Sequence, residues 1–156
     1  MQRFTSTRRR ARAGQATFAL VGPVRAEPLP EVAATKDPSC GCCEAWVAHL
    51  RQEGFRATVT EGPVNPLKAK LGVPRALASC HTAQVGGYVI EGHVPAGAIK
   101  RLLTEKPKGI GLAVPGMPVG SPGMEVEGAE PDTYDVVLFG AAERRTFARY
   151  RGGREI

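Results

Sequence analysis

Four cysteines, all that this 156-residue chain contains, fall into one short run and one separate partner. The run is Cys40-Gly41-Cys42-Cys43, and the partner is Cys80, which His81 follows directly. Soft sulfur donors at this density are typical of sites for Cu(I), zinc or an iron–sulfur cluster, and Cys-x-x-Cys spacing also serves dithiol redox chemistry. The sequence therefore predicts a thiolate site, with Cys40 and Cys43 as the candidate redox pair.

Two methionines help to choose among these metals. Pro115-Gly116-Met117 recurs as Pro122-Gly123-Met124, which places two thioethers in one segment rich in glycine and proline. Methionine usually fills gaps in a core, but this segment has no periodic apolar face to pack. Thioethers are good ligands for Cu(I) and poor ligands for zinc, so Met117 and Met124 favour copper.

Other uses of the cysteines stay open. The four thiols can form structural disulfides, although pairing of the adjacent Cys42 and Cys43 would be strained. A zinc site of the Cys₃His type is a second use, with these donors: Cys40, Cys43, Cys80 and His81. Thiol–disulfide exchange on Cys40 and Cys43 is a third. A cluster of several Cu(I) ions bridged by thiolates is the arrangement that employs every sulfur, including Cys42 and both methionines.

The elements that must position these residues alternate between strands and helices. Hydrophobic periodicity and turn residues predict strands over 32–35, 55–60, 88–90, 134–139 and 146–150. They predict helices from Cys42 to Gly54, from Asn65 to Gly72 and from Pro95 to Pro107, followed by a long Gly/Pro-rich loop from Gly109 to Gly128. This order predicts a single α/β domain of the thioredoxin-like class, a mixed sheet with flanking helices. The cysteine run then lies at the start of the first helix, where the helix dipole favours thiolate.

The first 26 residues have the features of an export leader. Arg8, Arg9 and Arg10 precede a weakly apolar stretch over 16–24, and Val24-Arg25-Ala26 offers small residues to a signal peptidase. Paired arginines also resemble a twin-arginine signal. We therefore predict a signal peptide over 1–26, a copper-binding domain over 27–150 and a frayed tail over 151–156. The mature protein would lie in the periplasm, an oxidising compartment where thiols must be paired, metal-bound or redox-active.

The net charge of +6 does not indicate a nucleic-acid partner. The leader contains six arginines and no acidic residue, and the remaining chain has 15 basic and 15 acidic residues. A neutral remainder offers no basic face to phosphate, so we predict no nucleic acid as partner. No stretch approaches the ~20 apolar residues of a membrane span, so we predict no span either.

Four ordered motifs are similar to those of a known family. They are Asp37-Pro38-Ser39-Cys40-Gly41-Cys42-Cys43 followed by Trp46, Ser79-Cys80-His81-Thr82-Ala83, Tyr88-Val89-Ile90-Glu91-Gly92-His93-Val94-Pro95, and the two Pro-Gly-Met repeats with their glycine-rich surroundings over 111–125. In these motifs the chain resembles the CopG-type copper-resistance family over about residues 31–140. The resemblance implies a periplasmic thioredoxin-like protein with a cysteine-bridged, multinuclear copper site.

The same resemblance implies a set of copper ligands, carried over motif by motif: Cys40, Cys42, Cys43, Cys80, His93, Met117 and Met124. His81 belongs to a family motif as well, and its role as a ligand stays open. The implied function is to hold Cu(I) for copper resistance or redox handling, with copper ions and other copper-resistance or redox proteins as partners. The alternatives are a thiol–disulfide oxidoreductase that uses Cys40 and Cys43, or a metallochaperone without a redox role.

Overall fold

The chain alternates strands and helices in its first half and ends in strands. A computed structural model describes residues 27–156, so the predicted leader over 1–26 lies outside the described residues. The helices are α1 (Gly41–Gln52), α2 (Val64–Lys70) and α3 (Ala96–Glu105), with a 3₁₀ helix over Arg75–Leu77. The strands are β1 (Val32–Lys36), β2 (Ala57–Glu61), β3 (His81–Val85), β4 (Tyr88–Glu91), β5 (Gly111–Ala113), β6 (Thr133–Phe139), β7 (Arg144–Arg151) and β8 (Arg154–Glu155).

All eight of these strands form one mixed sheet in the order β2-β1-β3-β4-β5-β6-β7-β8. The pairs β1–β2 and β4–β5 are parallel, and the other neighbours are antiparallel. The predicted α/β class with a mixed sheet is therefore confirmed. None of the helices in the described part of the chain is long and apolar enough to cross a membrane.

The sheet packs against apolar side chains on both of its faces. Since successive side chains of a strand point to opposite sides, neighbouring residues belong to different core clusters. Ile90, Leu112 and Leu138 belong to the larger core cluster, which also contains the apolar faces of α1 and α3. Their neighbours Val89, Ala113 and Phe139 pack with the segment around the 3₁₀ helix. Trp46 is fully buried in the larger cluster, so α1 is anchored through the face that periodicity predicts.

Strand register brings the segments of interest to one end of the sheet. Lys36, the last residue of β1, pairs with His81, the first residue of β3. The cysteine run follows Lys36 and Cys80 precedes His81, so both leave the sheet at the same end. Thr82 pairs in turn with Glu91 at the end of β4, and His93 comes two residues later at that end.

Several predicted boundaries were wrong. The predicted loop over 109–128 begins with a strand, β5, which is only three residues long and is held by pairing on both sides. The tail over 151–156, predicted to fray, instead completes β7 and forms β8, with Tyr150 paired to Glu155. The helix predicted to begin at Asn65, α2, begins one residue earlier at Val64, and Pro63 takes the N-cap position.

Candidate metal centre

The end of the sheet described above gathers the four cysteines. Cys40 is the N-cap residue of α1, and the rest of the run forms the first turn of that helix. Cys42 Sγ lies 3.5 Å from Cys40 Sγ and 3.8 Å from Cys80 Sγ. The sulfur atoms of Cys40, Cys42, Cys43 and Cys80 all lie within 4.8 Å of one another, and we call these residues the sulfur cluster. These sulfur atoms are close enough together to hold a metal ion.

Two members of the sulfur cluster are joined to each other. Cys40 and Cys43 form a disulfide, and Cys42 and Cys80 are free thiols. Cys43 is buried and Cys40 is partly exposed, so Cys40 is the sulfur that an external thiolate can reach. Disulfide sulfurs lack the thiolate charge that binds metal, so this form offers two thiolates where the reduced protein offers four. The Cys₃His zinc set is incomplete in this form, because it needs both Cys40 and Cys43.

His93 presents a nitrogen to the sulfur cluster. Its Nε2 atom lies 3.1 Å from Cys80 Sγ, and its Nδ1 atom lies 2.8 Å from the carbonyl oxygen of Pro122. A carbonyl only accepts, so Nδ1 carries the hydrogen and Nε2 carries the lone pair. Metal-binding histidines are usually held in this way through their second nitrogen. Burial lowers the pKa of His93, which keeps the ring neutral and able to bind a cation.

His81 contacts the same thiol as His93 does. Its Nδ1 atom is 3.3 Å from Cys80 Sγ, and its ring lies 4.3 Å from the Trp46 ring and 5.0 Å from the His93 ring, centroid to centroid. Only 1% of the residue is exposed. Burial, together with the nearby His93 and Lys68, lowers the pKa of His81 to about 3, so the imidazole is neutral at physiological pH.

Cys80 connects the sulfurs to the imidazoles. Burial, and then the neighbouring Cys42, raise the pKa of the Cys80 thiol to about 11. The thiol is therefore protonated at neutral pH in the metal-free protein, and a metal ion must displace that proton. Because metal and proton compete for one sulfur, affinity at this donor rises as the pH rises toward 11.

The two methionines occupy the loop over 114–132 and differ in position. Met117 is 53% exposed, whereas Met124 is partly buried. Gly123 lies directly against α1: a Cβ atom there would stand 2.6 Å from the backbone nitrogen of Trp46. The loop is also tied to the cysteine segment, because Ser79 Oγ donates to the carbonyl oxygen of Gly116 over 2.6 Å. The loop thus covers the first turn of α1, with Met124 next to the point of contact.

A buried ion pair supports Cys80 from the opposite face of the sheet, and the motif analysis missed it. The Glu91 carboxylate accepts from Lys68 Nζ, from the backbone nitrogen of Ser79 and from Thr82 Oγ1, each at 2.6 Å. Glu91 is fully buried and Lys68 is 5% exposed. Since Ser79 precedes Cys80, this carboxylate holds the backbone that presents the thiol. The sequence does give one indication of this ion pair, because Glu91 ends an otherwise apolar strand. A carboxylate is almost never fully buried unless it has a partner, so a basic partner could have been expected.

The fold and the site define an α/β protein with a partly buried cluster of soft metal donors at one end of its sheet. A family model described as "Protein of unknown function, DUF411" matches residues 77–124. A solved structure of copper resistance protein copG, Form 1, is 42% identical, with 81% of this chain and 100% of that chain covered and a TM-score of 0.74. For Form 2 the identity is 43%, the coverage 80% and 99%, and the TM-score 0.74. The chain belongs to the CopG copper-resistance family. Among curated proteins no match was found.

Proposed function

We propose that this chain is a periplasmic copper-binding protein that holds more than one Cu(I) ion on the sulfur cluster. The observation that carries the proposal is the convergence of four cysteine sulfurs within 4.8 Å in a chain of a copper-resistance family. Thiolates select Cu(I) among the common soft ions, and one thiolate can bridge two of them. The predicted leader supports the location, since it would export the protein to an oxidising compartment.

The remaining donors surround the cluster. His93 is the proposed nitrogen ligand, because its second nitrogen is already engaged by Pro122. Met117 and Met124 are the proposed thioether ligands, carried by a loop that lies against α1. The parallel pair β1–β2 joined through α1, followed by the antiparallel pair β3–β4 and α3, supports the thioredoxin-like class for this domain.

Copper uptake would depend on the state of the Cys40–Cys43 pair. Two electrons and two protons, supplied by a dithiol that is itself oxidised to a disulfide, convert the pair into two thiols. Cu(I) ions then replace thiol protons, and these protons pass to the solvent. The protein would thus hold Cu(I) when reduced and offer fewer thiolates when oxidised, which suits either redox handling of copper or its transfer to another protein.

The reduced protein should bind more than one Cu(I) ion per chain, and the disulfide form should bind fewer. The reason is the loss of two thiolates on oxidation. The measurement is a competition titration with a chromogenic Cu(I) chelator, on protein prepared with and without prior dithiol reduction under anaerobic conditions. A single zinc ion that Cu(I) cannot displace from the reduced protein would contradict the proposal.

One observation favours a second function, that of a thiol–disulfide oxidoreductase. Cys40 and Cys43 are already bonded at the start of α1, with the partly exposed Cys40 open to attack. In this function one thiolate of a substrate dithiol attacks Cys40, and Cys43 leaves as thiolate. The second thiol of the substrate then attacks the substrate sulfur of the mixed disulfide, which releases Cys40 as thiolate and the substrate as a disulfide. Only these two sulfurs are needed, so the rest of the sulfur cluster and both methionines would play no part.

The double variant Met117→Leu, Met124→Leu separates the two functions. If the loop supplies copper ligands, the variant should retain less copper while its disulfide-reductase turnover equals that of the wild type. Leucine conserves the volume of methionine, so the change should cost less than about 1.5 kcal/mol of stability. Copper content and turnover are measured on the same preparations, with Cys40→Ser and Cys43→Ser as references for lost turnover. Full copper loading in the double variant would exclude both methionines from the site.

A further inference from the structure

The hydrogen bonds around His81 raise a question about its role. His81 and His93 both direct a ring nitrogen at Cys80 Sγ, over 3.3 Å and 3.1 Å. Their second nitrogens differ. His93 Nδ1 has the Pro122 carbonyl as partner, whereas His81 Nε2 is buried and has no hydrogen-bond partner among residues 27–156.

This difference decides where the His81 proton resides. If Nε2 carried the hydrogen, a buried N–H group would have no acceptor, which is the more costly form of an unsatisfied group. If Nδ1 carries it, the N–H group donates to Cys80 Sγ and only a lone pair is left without a partner. The second tautomer is favoured, and in it Nδ1 has no lone pair to give to a metal ion.

With the hydrogen on His81 Nδ1, Cys80 Sγ has suitable partners both in the metal-free site and in a copper-bound site. In the metal-free protein the Cys80 thiol donates its hydrogen to His93 Nε2 and accepts one from His81 Nδ1. If a Cu(I) ion replaced the thiol proton, Cys80 Sγ and His93 Nε2 would be the donors that hold it, and the hydrogen bond from His81 could remain. A metal bound to His81 Nδ1 would instead force the hydrogen onto Nε2, which makes no hydrogen bond within residues 27–156.

We propose that His81 is a positioning residue that donates a hydrogen bond to the Cys80 thiolate, and that this bond holds bound copper in the Cu(I) state. The inference rests on the proposed copper function and adds how the oxidation state of the bound copper is controlled. A hydrogen bond to a metal-bound thiolate withdraws negative charge from the sulfur, which disfavours the more highly charged Cu(II) ion. The packing of the ring between Trp46 and His93 fixes the direction of the donor.

Three substitutions test the donor at this position. His81→Phe fills the same ring space without a donor. His81→Asn places an amide N–H close to the position of Nδ1, and His81→Gln carries the same amide one carbon further out. The measurements are copper bound per chain by the reduced protein and the midpoint of a ferricyanide titration. In that titration each Cu(I) gives one electron to ferricyanide, forming Cu(II) and ferrocyanide.

At saturating Cu(I) we expect the wild-type number of copper ions per chain in all three variants, because His81 supports a ligand without being one; the affinity of His81→Phe and His81→Gln should be lower. The first oxidation should shift about tenfold toward Cu(II) in His81→Phe and His81→Gln, which corresponds to a midpoint about 59 mV lower. His81→Asn should stay near the wild type. Should the phenylalanine variant fail to fold, the Asn and Gln pair still decides, because the two differ only in where the donor lies.

Two results would overturn the inference. Loss of copper from the correctly folded Asn and Phe variants would make His81 a ligand, and equal midpoints in the Asn and Gln variants would remove the hydrogen bond as the cause. A wild-type reduced protein that takes up no Cu(I) would overturn the proposed function itself. The titration of the wild-type protein alone tests the proposed function, whereas the comparison of variants tests the role of His81.

Discussion

Cys80→Ser should weaken Cu(I) binding by at least about 100-fold, because the substitution removes a donor and the link between two groups of donors. Cys80 Sγ lies within 3.8 Å of Cys42 Sγ and 3.1 Å of His93 Nε2. Loss of a group that only supports a metal ligand typically lowers metal affinity 10–100-fold, so loss of a ligand itself should lower the affinity further. The measurement is competition with a Cu(I) chelator of known affinity, on protein kept reduced.

Cys42→Ser is the matched control for this prediction. It also removes one free thiol, but Cys42 contacts other sulfurs and no imidazole among the described side-chain contacts. The Cys42 variant should therefore keep copper that is bound between Cys80 and His93, and it should lose less affinity. Equal losses in the two serine variants would argue against Cys80 as the connecting ligand.

Glu91→Ala should lower the free energy of unfolding by about 3–5 kcal/mol, because it leaves Lys68 charged and buried without its partner. The ion pair joins Lys68 Nζ and a Glu91 oxygen over 2.6 Å, with side chains that are 7% and 0% exposed. Ser79 and Thr82 lose their acceptor in the same variant. Urea unfolding of metal-free protein measures the change, since bound copper would add its own stabilisation.

The control is an exposed ion pair of the same chemistry. Lys100 and Glu53 lie 2.9 Å apart with 38% and 47% of their side chains exposed. Because water screens such pairs, Glu53→Ala should change stability by less than about 1 kcal/mol. If Glu91→Ala proved as mild as Glu53→Ala, the buried network would not be what holds the Ser79–Cys80 segment.

Local patterns were enough to predict the elements that bury one face. In α1 the apolar residues recur at i, i+3, i+4 and i+7, the spacing of one helix face, and all four are buried: Cys43, Trp46, Val47 and Leu50. β3 gave no such signal because four of its five residues are buried, so it does not alternate. β5 is too short for any periodicity, and it exists because β4 and β6 supply its hydrogen bonds.

Residue types predicted the composition of the site better than its internal contacts. Sulfur and imidazole donors can be recognised individually in the sequence, and the structure brings the cysteines and His93 close together. The partners that orient them are backbone and side-chain groups far away in sequence: Pro122 lies 29 residues from His93, and Lys68 lies 23 residues from Glu91. Such contacts depend on strand register and on the path of the loops, and no local sequence pattern predicts either of them.

The covalent and the metal-mediated links of this site differ in the length of chain that they close. The Cys40–Cys43 disulfide spans a sequence separation of 3, whereas a copper ion shared by Cys42 and Cys80 would close a separation of 38. Restricting the unfolded chain stabilises a protein more when the closed loop is longer. Opening the disulfide therefore releases little chain entropy, while a copper ion shared by Cys42 and Cys80 would act as a long-range cross-link. The loaded protein should consequently resist proteolysis better than the metal-free protein in either oxidation state of the Cys40–Cys43 pair.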